Sequence, residues 1–396
     1  NEKICPVCGS TTAEDTPVEV QWCSHCSTPI ITALNQSDKN ICPLCGGKTK
    51  YISADLRPVF PEERLLIEVL LKKPPNVWKD SSVWACNNRY YVDGKSVVVP
   101  NSIYESSAPD EVVSQLQAAQ GNNSSEAFTR YIDMFMQANY HRLTFLKDEA
   151  YQFIQHAAAG FDPEQIIVSF SGGKDSTVTA DLAIKALSNP SLVHIFGDTT
   201  LEFPSTTEYA ERYRNFHPEA IFQVARNDDQ DFYEVCDDIG PPARMMRWCC
   251  SMFKTGPITR IINSLYGSEQ ILTFYGIRKF ESVSRSKYNR IEDSADAVKI
   301  KQQTVASPIF FWKDIEIWLY ILAEDIDFNR AYRLGYDRVG CWCCPNNNVR
   351  AQFLSRIYMP EKAEAWRNFL LDFAKRIGKP DPEVYVDSGK WKARQG

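Results

Sequence analysis

One short stretch, SFSGGKDSTVTADLAIKAL at residues 169–187, restricts the fold more than any other part of this 396-residue sequence. The apolar residues 166–168 before it predict a buried strand, and the apolar spacing over 178–187 predicts a helix. Between them, Gly172 and Gly173 let the backbone turn tightly and approach a ligand, because neither carries a Cβ atom. A strand, a glycine turn and a helix in this order predict a phosphate-binding loop. The alternative is an ordinary glycine-rich turn with a capping serine.

The chemistry of this loop supports phosphate binding. The helix that follows directs its free N–H groups and the positive end of its dipole toward the turn. Lys174 adds a positive charge, and Ser171, Ser176 and Thr177 add hydroxyl groups. The loop is not a Walker loop, because neither GxxxxGKS nor GxxxxGKT occurs here.

Short β-rich runs alternate with helical stretches in the middle of the chain. The runs are QIIVSF, LVHIFGD, AIFQVA and ILTFYGI, and each is rich in β-branched or aromatic residues. This alternation predicts an α/β fold built on a doubly wound parallel sheet. We expect the domain to cover residues 164–345.

Four other segments surround this domain. They are the cysteine-rich residues 1–50, a small β-containing module at 51–125, a helical linker at 126–163 and a helical C-terminal tail at 346–396. The module contains a hairpin signal, RYYVDGKSVVVP, in which Asp93 and Gly94 supply a two-residue turn.

Composition limits the classes of function. Hydrophobic residues make up 44% of the chain and charged residues 24%, a mixture typical of globular proteins. The formal net charge of −6 argues against binding nucleic acid over the whole surface. No apolar run is long enough to cross a bilayer, and the first residues, NEKICPVCGS, do not resemble a signal peptide. We therefore expect a cytoplasmic protein without a membrane partner.

One local basic patch is a candidate contact for nucleic acid. Between Ile277 and Lys301 there are seven basic and four acidic residues. The basic residues are Arg278, Lys279, Arg285, Lys287, Arg290, Lys299 and Lys301. A solvated loop without a partner explains the pattern equally well.

The stretch SGGKDS at residues 171–176 resembles the PP-loop, SGGxDS, of the ATP pyrophosphatases. Enzymes of that family cleave ATP between the α and β phosphates, adenylate an acceptor and release pyrophosphate. The resemblance implies that the loop holds the β and γ phosphates and that Lys174 stabilises charge on the leaving group. It also implies that Asp175 either holds Mg²⁺ or fixes the loop.

Four further stretches resemble the successive motifs of the phosphoadenosine phosphosulfate reductase family. They are GDTTLEFPSTTEY at 197–209, RWCCSMFKTGPI at 247–258, GIRKFESVSR at 276–285 and GCWCCP at 340–345. The resemblance implies that Asp198 faces the nucleotide and that Arg278 and Arg285 bind phosphate or adenylate. The implied nucleotide-binding residues are Ser169, Ser171, Gly172, Gly173, Lys174, Asp175, Ser176, Thr177, Asp198, Gly276, Arg278 and Arg285. The implied catalytic residues are Lys174, Asp175 and Arg278.

Two departures from that family indicate a branch. Its sulfonucleotide reductases carry an altered PP-loop, whereas this sequence keeps all of SGGKDS. Those reductases also attack sulfur with a cysteine near the C-terminus, and this sequence has no cysteine after Cys344. The chain therefore resembles the ATP-using relatives that insert sulfur into nucleic acids, such as the pyrophosphatase component of DNA phosphorothioation or tRNA thiolases.

This resemblance implies an ATP pyrophosphatase that adenylates an acceptor, expected to be a nucleic acid, for sulfur insertion. The sulfur would come from a donor such as a cysteine desulfurase. Two alternatives stay open. One is a phosphoadenylyl-sulfate or adenylyl-sulfate reductase, and the other is a nucleic-acid-binding or scaffold subunit that holds a nucleotide without turnover. The residues do not distinguish DNA, tRNA and a small molecule as the acceptor.

The thirteen cysteines favour metal sites over disulfides. Three CxxC pairs lie near the start, and two such pairs complete a tetrahedral zinc site that a segment this small would need in order to fold. WCSHCSTPI and CPLCGGKTKY resemble the zinc ribbon fused to archaeal-type members of the family. The resemblance assigns zinc to Cys23, Cys26, Cys42 and Cys45. Cys5 and Cys8 either replace one of these pairs or are free.

A second group of cysteines resembles the cluster-binding pattern of adenylyl-sulfate reductases. It implies a 4Fe–4S cluster with one thiolate on each iron, held by Cys249, Cys250, Cys341 and Cys344. Nearby Arg244, Arg247 and Lys254 would offset the negative charge of the cluster. A second zinc ion, a redox disulfide and inert cysteines are the alternatives. Cys343 is left over, either buried or as a mobile thiol that relays sulfur.

Overall fold

The computed structural model describes residues 17–34, 40–282, 285–292 and 303–393. Cys5 and Cys8 lie outside the described residues, as do Lys299 and Lys301 of the basic patch. The strands are β1 (Val18–Cys23), β2 (Thr28–Ala33), β3 (Lys50–Ser53), β4 (Arg57–Pro58), β5 (Val83–Cys86), β6 (Arg89–Val92), β7 (Lys95–Val98), β8 (Ile166–Phe170), β9 (Val193–Asp198), β10 (Ile221–Arg226), β11 (Ile271–Tyr275), β12 (Ile291–Glu292) and β13 (Gln303–Ala306).

The helices are α1 (Pro61–Leu70), α2 (Asn101–Ser106), α3 (Pro109–Ala119), α4 (Glu126–Ala138), α5 (Tyr140–Ala158), α6 (Lys174–Leu187), α7 (Pro204–Phe216), α8 (Phe232–Ile239), α9 (Trp248–Cys250), α10 (Gly256–Tyr266), α11 (Asp314–Ala323), α12 (Val349–Tyr358), α13 (Pro360–Arg376) and α14 (Pro382–Asp387). A π-helical turn at Ser251–Thr255 joins α9 to α10. None of the described helices has the length and apolar character that crossing a bilayer requires.

A six-stranded sheet forms the centre of the fold, with strand order β10-β9-β8-β11-β13-β12. These strands run parallel from β10 to β13, and β12 at the edge is antiparallel to β13. All four strands expected from the sequence are present as β8 to β11, and the predicted α/β fold is confirmed. The chain moves from β8 outward to β10 and then returns to place β11 on the other side of β8. The carboxyl ends of β8 and β11 therefore form a switch point, where such sheets bind ligands.

Helices cover both faces of this sheet because β8 is apolar on both sides. Ile166 and Val168 share a buried cluster with Val178 of α6. Ile167, which points to the opposite face, clusters instead with Ile262 of α10. A strand buried on both faces has few polar positions, which is why this run was recognisable from sequence.

The predicted hairpin is confirmed as the antiparallel pair β6 and β7. Its turn residues have positive φ, +48° at Asp93 and +75° at Gly94, as a type I′ turn requires. A side chain at Gly94 would also collide with the indole of Trp22. The hairpin belongs to a four-stranded sheet of order β4-β5-β6-β7, and β2-β1-β3 form a separate three-stranded sheet.

Residues 126–163 form two helices, α4 and α5, where the sequence indicated one helical segment. The break falls at the buried Asn139. Its side-chain oxygen accepts a hydrogen bond from the N–H of Ile31 at 2.7 Å, and its amide donates to the carbonyl of Pro29 at 3.0 Å. Asn139 thus ties the helix junction to β2, a long-range contact that helical spacing does not encode.

Hydrophobic contacts join the terminal segments to the central domain. Trp22 of β1 belongs to the same buried cluster as Phe170 of β8 and Phe274 of β11. A second cluster joins Trp366 of α13 to Phe203, in the loop after β9. The division of the chain into five segments stays a prediction.

Candidate nucleotide site

The predicted phosphate-binding loop occupies the turn between β8 and α6. Gly172 has a φ of +67°, a conformation that favours glycine, and a Cβ atom there would lie 2.8 Å from the methyl group of Thr206. The Ser176 hydroxyl accepts a hydrogen bond from the N–H of Ser171 at 3.1 Å and donates to the carbonyl of Gly173 at 2.9 Å. The loop therefore holds its own shape in front of the first turn of α6.

Thr177 also supports the loop from inside. Its hydroxyl is fully buried, donates to the carbonyl of Gly173 at 3.1 Å and shares a 2.9 Å hydrogen bond with the Tyr209 hydroxyl. The sequence predicts Ser176 and Thr177 as hydroxyl donors to phosphate. In this structure both hydroxyls contact the protein, so a contact with phosphate stays a prediction.

Gly276 lets the end of β11 approach the loop. A Cβ atom at this position would lie 2.6 Å from the carbonyl carbon of Asp175 and 2.7 Å from the backbone nitrogen of Ser176. The role that the structure gives to Gly276 is therefore close backbone packing, which brings the residues after β11 beside the PP-loop.

Two cations and two carboxylates meet next to this loop. Lys174 and Arg278 are each only 4% exposed. The Lys174 ammonium lies 3.1 Å from the carboxylate of Asp175 and 3.1 Å from that of Asp314. Arg278 donates to the same two carboxylates, with its Nη2 atom 2.9 Å from Asp314. The three predicted catalytic residues thus come together, although Asp175 and Arg278 are 103 residues apart.

These groups fix one another's ionisation. Burial favours the neutral acid, but Arg278 and Lys174 outweigh it and lower the pKa of Asp175 to about 2. Burial acting alone would lower the pKa of Lys174, but Asp175 and Asp314 raise it above its ordinary value. At neutral pH, Lys174 is therefore positive and Asp175 negative.

Asp314 and Asp55 were not among the residues predicted from sequence. Asp314 begins α11, and an acidic residue before an apolar helical run signals a helix start without indicating a distant lysine. The Asp55 carboxylate accepts hydrogen bonds from the N–H groups of Asp314 at 3.0 Å and Ile315 at 3.1 Å. Burial and the nearby Asp314 raise the pKa of Asp55 to about 6. Asp55, which belongs to the predicted β-containing module at residues 51–125, thus positions the start of α11.

The other predicted nucleotide-binding residues surround the loop. Ser169 lies in β8, opposite Tyr275 of the neighbouring strand β11. Asp198 ends β9, one strand away, and its carboxylate accepts from the N–H of Thr200 at 2.8 Å. Arg285 forms an ion pair with Glu281.

Two members of the predicted basic patch, Arg278 and Arg290, do not face the solvent. Arg290 is 8% exposed and binds Glu149, with Nη2 2.9 Å from a carboxylate oxygen. Its guanidinium also stacks over the ring of Phe153 at 3.8 Å. The prediction that Arg290 belongs to an exposed basic patch was therefore wrong, because its guanidinium is buried and paired with Glu149.

Four cysteines near the start form a compact cluster. The sulfur atoms of Cys23, Cys26, Cys42 and Cys45 all lie within 4.8 Å of one another. The sulfurs of Cys23 and Cys45 are 3.6 Å apart, and those of Cys26 and Cys42 are 3.9 Å apart. Four thiols at this spacing fit a tetrahedral thiolate site for a metal ion. Zinc as that metal stays a prediction.

The cysteines of the second group also lie near one another in the fold, but their sulfur atoms are spaced more widely than those of the N-terminal cluster. The pKa of Cys249 is raised by its hydrogen bond with Cys250, by burial, and by the nearby Cys341 and Cys343. Within the described residues, sulfurs of three or more cysteines lie within 4.8 Å of one another only in the N-terminal cluster. A cubane spaces its thiolates more widely than one zinc ion does, because each thiolate binds a different iron. The iron–sulfur cluster stays a prediction.

Two of the predicted basic neighbours approach this second group. Burial and Glu202 raise the pKa of Cys341 to about 12, and Lys254 acts in the opposite direction. The Arg244 guanidinium donates to the carbonyl of Pro345 at 3.5 Å, beside Cys344. Cys343, left over in the sequence, is buried.

Comparison with known proteins identifies the class of the central domain. Residues 165–347 match the phosphoadenosine phosphosulfate reductase domain. An uncharacterized protein of Methanocaldococcus jannaschii is 32% identical over 271 residues, which are 68% of this chain and 53% of the relative. A second uncharacterized protein of that organism is 31% identical over 230 residues, 57% of this chain and 52% of the relative. The chain spans about half the length of these curated relatives.

More distant relatives have named activities. The adenosine 5′-phosphosulfate reductase of Staphylococcus haemolyticus is 24% identical over 197 residues, 49% of this chain and 76% of the relative. The crystal structure of phosphoadenylyl-sulfate reductase from Candida auris gives a TM-score of 0.39 at 17% identity, covering 52% of this chain and 96% of that one. The family resemblance found in the sequence motifs is confirmed by the domain match. The ATP-using branch stays a prediction.

Proposed function

We propose that this protein is an ATP pyrophosphatase that adenylates an acceptor, expected to be a nucleic acid, for sulfur insertion. The observation that carries the proposal is the meeting of Lys174 and Arg278 beside a complete SGGKDS loop. The loop and the N-terminus of α6 suit the β and γ phosphates. The acceptor oxygen bonds to the α phosphorus while the bond from this phosphorus to the α–β bridging oxygen breaks. Lys174 and Arg278 then stabilise the charge that develops on the departing pyrophosphate.

The two carboxylates give this site a place for Mg²⁺. Bound Mg²⁺ would neutralise part of the phosphate charge, and carboxylate oxygens are ligands that it prefers. Asp175 and Asp314 carry such oxygens beside the loop, where both pair with Lys174 and Arg278. A triphosphate that attracts these two cations would release carboxylate oxygens for the metal.

The sulfur step needs a second set of residues and a partner. Sulfur at the oxidation level of sulfide bonds to the activated atom of the acceptor, and AMP leaves with the displaced oxygen. A cysteine desulfurase is the kind of donor we expect. It carries the sulfur as a persulfide, and a thiol releases it as sulfide by forming a disulfide with the carrier cysteine. Cys249, Cys250, Cys341 and Cys344 would hold the 4Fe–4S cluster that assists sulfur delivery. The position of Cys341 supports a cluster close to the nucleotide. Its sulfur lies 3.6 Å from the hydroxyl of Thr199, the residue directly after the end of β9.

The test is the product of ATP turnover. Purified protein with ATP, Mg²⁺ and acceptor should release pyrophosphate, and Lys174→Ala should lower this rate by about 100-fold, as expected for one charge that stabilises a leaving group. The matched control is Lys185→Ala on the same helix, because Lys185 pairs with Asp181 and Glu324 at the surface. Release of ADP and phosphate instead of pyrophosphate would contradict the proposal.

A reductase is the second candidate, favoured by the relatives named adenosine 5′-phosphosulfate reductase. Such an enzyme would release sulfite from adenylyl sulfate in the presence of a thiol and would leave ATP intact. A nucleotide-holding scaffold subunit would bind ATP and do neither. The two product assays together therefore separate all three functions.

The acceptor can be identified in cells. Loss of the gene should remove a sulfur-containing nucleoside or phosphorothioate linkage that mass spectrometry detects in DNA or RNA digests. Unchanged sulfur content in both nucleic acids would exclude a nucleic-acid acceptor and favour a small molecule.

A further inference from the structure

The backbone around Arg338 is held in place next to the PP-loop. On one side, the Asp337 carboxylate accepts a hydrogen bond from Arg57 at 3.0 Å. On the other side, Val339 packs against Gly173, with its Cγ2 atom 3.4 Å from the position of a Cβ atom on that glycine. Arg338 therefore projects from a fixed point between the two contacts.

The anchor on the first side is itself buried and strongly paired. Glu63, which has no exposed surface, binds both Arg57, at 2.6 Å, and Arg350. Arg350 also approaches the Asp337 carboxylate within 3.3 Å. Removing one partner of a buried ion pair leaves an uncompensated buried charge, so this network resists displacement.

The Arg338 side chain is exposed and, in the part of the chain that the structure describes, makes no hydrogen bond or ion pair. Its charge acts on Arg285, whose pKa is lowered first by burial and next by repulsion from Arg338. Arg285 also lies close enough to Asp175 and Arg278 to interact with their charges. Glu281 pairs with Arg285 but not with Arg338. Arg338 thus carries an unpaired positive charge at the edge of the candidate nucleotide site, an arrangement that an anion would stabilise.

We propose that Arg338 binds one phosphate group between the PP-loop and the turn at residues 341–344. A guanidinium group matches phosphate oxygens with two parallel hydrogen bonds, and the unpaired Arg338 side chain is able to make both. Arg338 precedes Cys341 by three residues, so the phosphate lies on the side of the loop where sulfur chemistry is expected. The phosphate belongs to ATP itself or to the backbone of the acceptor. This inference rests on the proposed function, whose acceptor is a nucleic acid.

The experiment compares Arg338→Gln, which removes the charge at similar length, with Arg338→Lys, which keeps it. The control is Arg333→Gln, since Arg333 lies in the same segment but pairs with Glu62. Calorimetry measures binding of ATP with Mg²⁺ in the absence of acceptor. Fluorescence anisotropy measures binding of a labelled single-stranded oligonucleotide, as DNA and as RNA, over a range of salt concentrations.

The two measurements distinguish the sources of the phosphate. If it belongs to ATP, Arg338→Gln weakens ATP binding about tenfold, the loss expected for one charged hydrogen-bonding group. If it belongs to the acceptor, ATP binding is unchanged, the oligonucleotide binds about tenfold more weakly, and its salt slope falls by about 0.7. In either case Arg338→Lys restores part of the affinity and Arg333→Gln has no effect.

Affinities of Arg338→Gln within about twofold of the original protein for both ligands would overturn this inference. Unchanged ATP binding would also overturn it if the original protein binds no oligonucleotide. Lys174→Ala separates this failure from that of the proposed function. If Lys174→Ala weakens ATP binding and Arg338→Gln changes nothing, only the inference on Arg338 fails. If Lys174→Ala leaves the rate of pyrophosphate release unchanged as well, the proposed function fails.

Discussion

Replacing Gly276 with alanine tests whether close backbone packing builds the nucleotide site. The added methyl group would lie 2.6 Å from the carbonyl carbon of Asp175, about 0.8 Å inside the 3.4 Å limit of ordinary contact. Its other close neighbours are the Asp175 oxygen and the Ser176 nitrogen, both at 2.7 Å. All three are backbone atoms, so no side-chain rotation can relieve the overlap. Either the loop or the end of β11 must shift by nearly 1 Å.

The cost of this shift follows from known overpacking effects. An extra methyl group in a well-packed site costs about 1–3 kcal/mol, which should lower the melting temperature of a chain this long by about 2 °C. Arg278 lies two residues beyond Gly276, so the shift also misaligns Arg278 with Asp175. A displacement near 1 Å reduces turnover by about 100-fold. We therefore expect a moderate loss of stability and a much larger loss of pyrophosphate release.

Thermal melting followed by circular dichroism and the pyrophosphate assay measure the two effects. Gly160→Ala is the control, because a Cβ atom at Gly160 would have no neighbour within 4 Å. If Gly276→Ala melts within about 1 °C of the original protein and keeps its turnover, the loop does not depend on this contact. The steric reasoning would then be refuted.

Three further predictions concern the metals and one buried histidine. Aerobically purified protein should contain about one zinc ion per chain, which Cys42→Ser should lose and Cys5→Ser should keep. Loss of zinc in Cys5→Ser but not in Cys42→Ser would move the site to the first two CxxC pairs. Anaerobically purified protein should be brown and bleach with dithionite, a colour that Cys250→Ala abolishes and Cys343→Ala retains; colourless protein with two zinc ions per chain would exclude the cluster. Burial lowers the pKa of His194 to about 4, so protonation favours the unfolded chain as the pH falls below the unfolded value of 6.5. Urea denaturation at pH 7 and pH 5 measures the free energy of unfolding. Between these two values the original protein should lose about 2 kcal/mol more of it than His194→Gln does. Equal losses would contradict a buried neutral imidazole.

Features that depend only on contiguous residues were predictable from the sequence. The PP-loop needs only a strand, two glycines and a helix start, and all of these lie within about twenty residues. The hairpin turn at Asp93 and Gly94 was equally local, because the turn type depends on two φ angles. The CxxC pairs fix two sulfurs on one turn each, so two pairs already outline a metal site.

Features that depend on distant contacts were not predictable. Asp314 becomes part of the site only because α11 begins beside Lys174, 140 positions further along the chain than that lysine. Asn139 breaks a helix because β2 offers backbone groups that its side chain can bind. Arg290 has the charge of a nucleic-acid contact, but the fold places Glu149 against it. In each case the residue type allows several roles, and the partner chosen by the fold decides among them.

Asp55 and Arg57, two residues apart in the β-containing module, support opposite sides of the candidate nucleotide site. Asp55 binds the first N–H groups of α11 and so positions Asp314. Arg57 binds Asp337 and so fixes the backbone from which Arg338 projects. Because one short segment makes both contacts, any movement of that segment would displace both sides together. The candidate nucleotide site within residues 165–347 is therefore contacted on two sides by residues outside the matched domain.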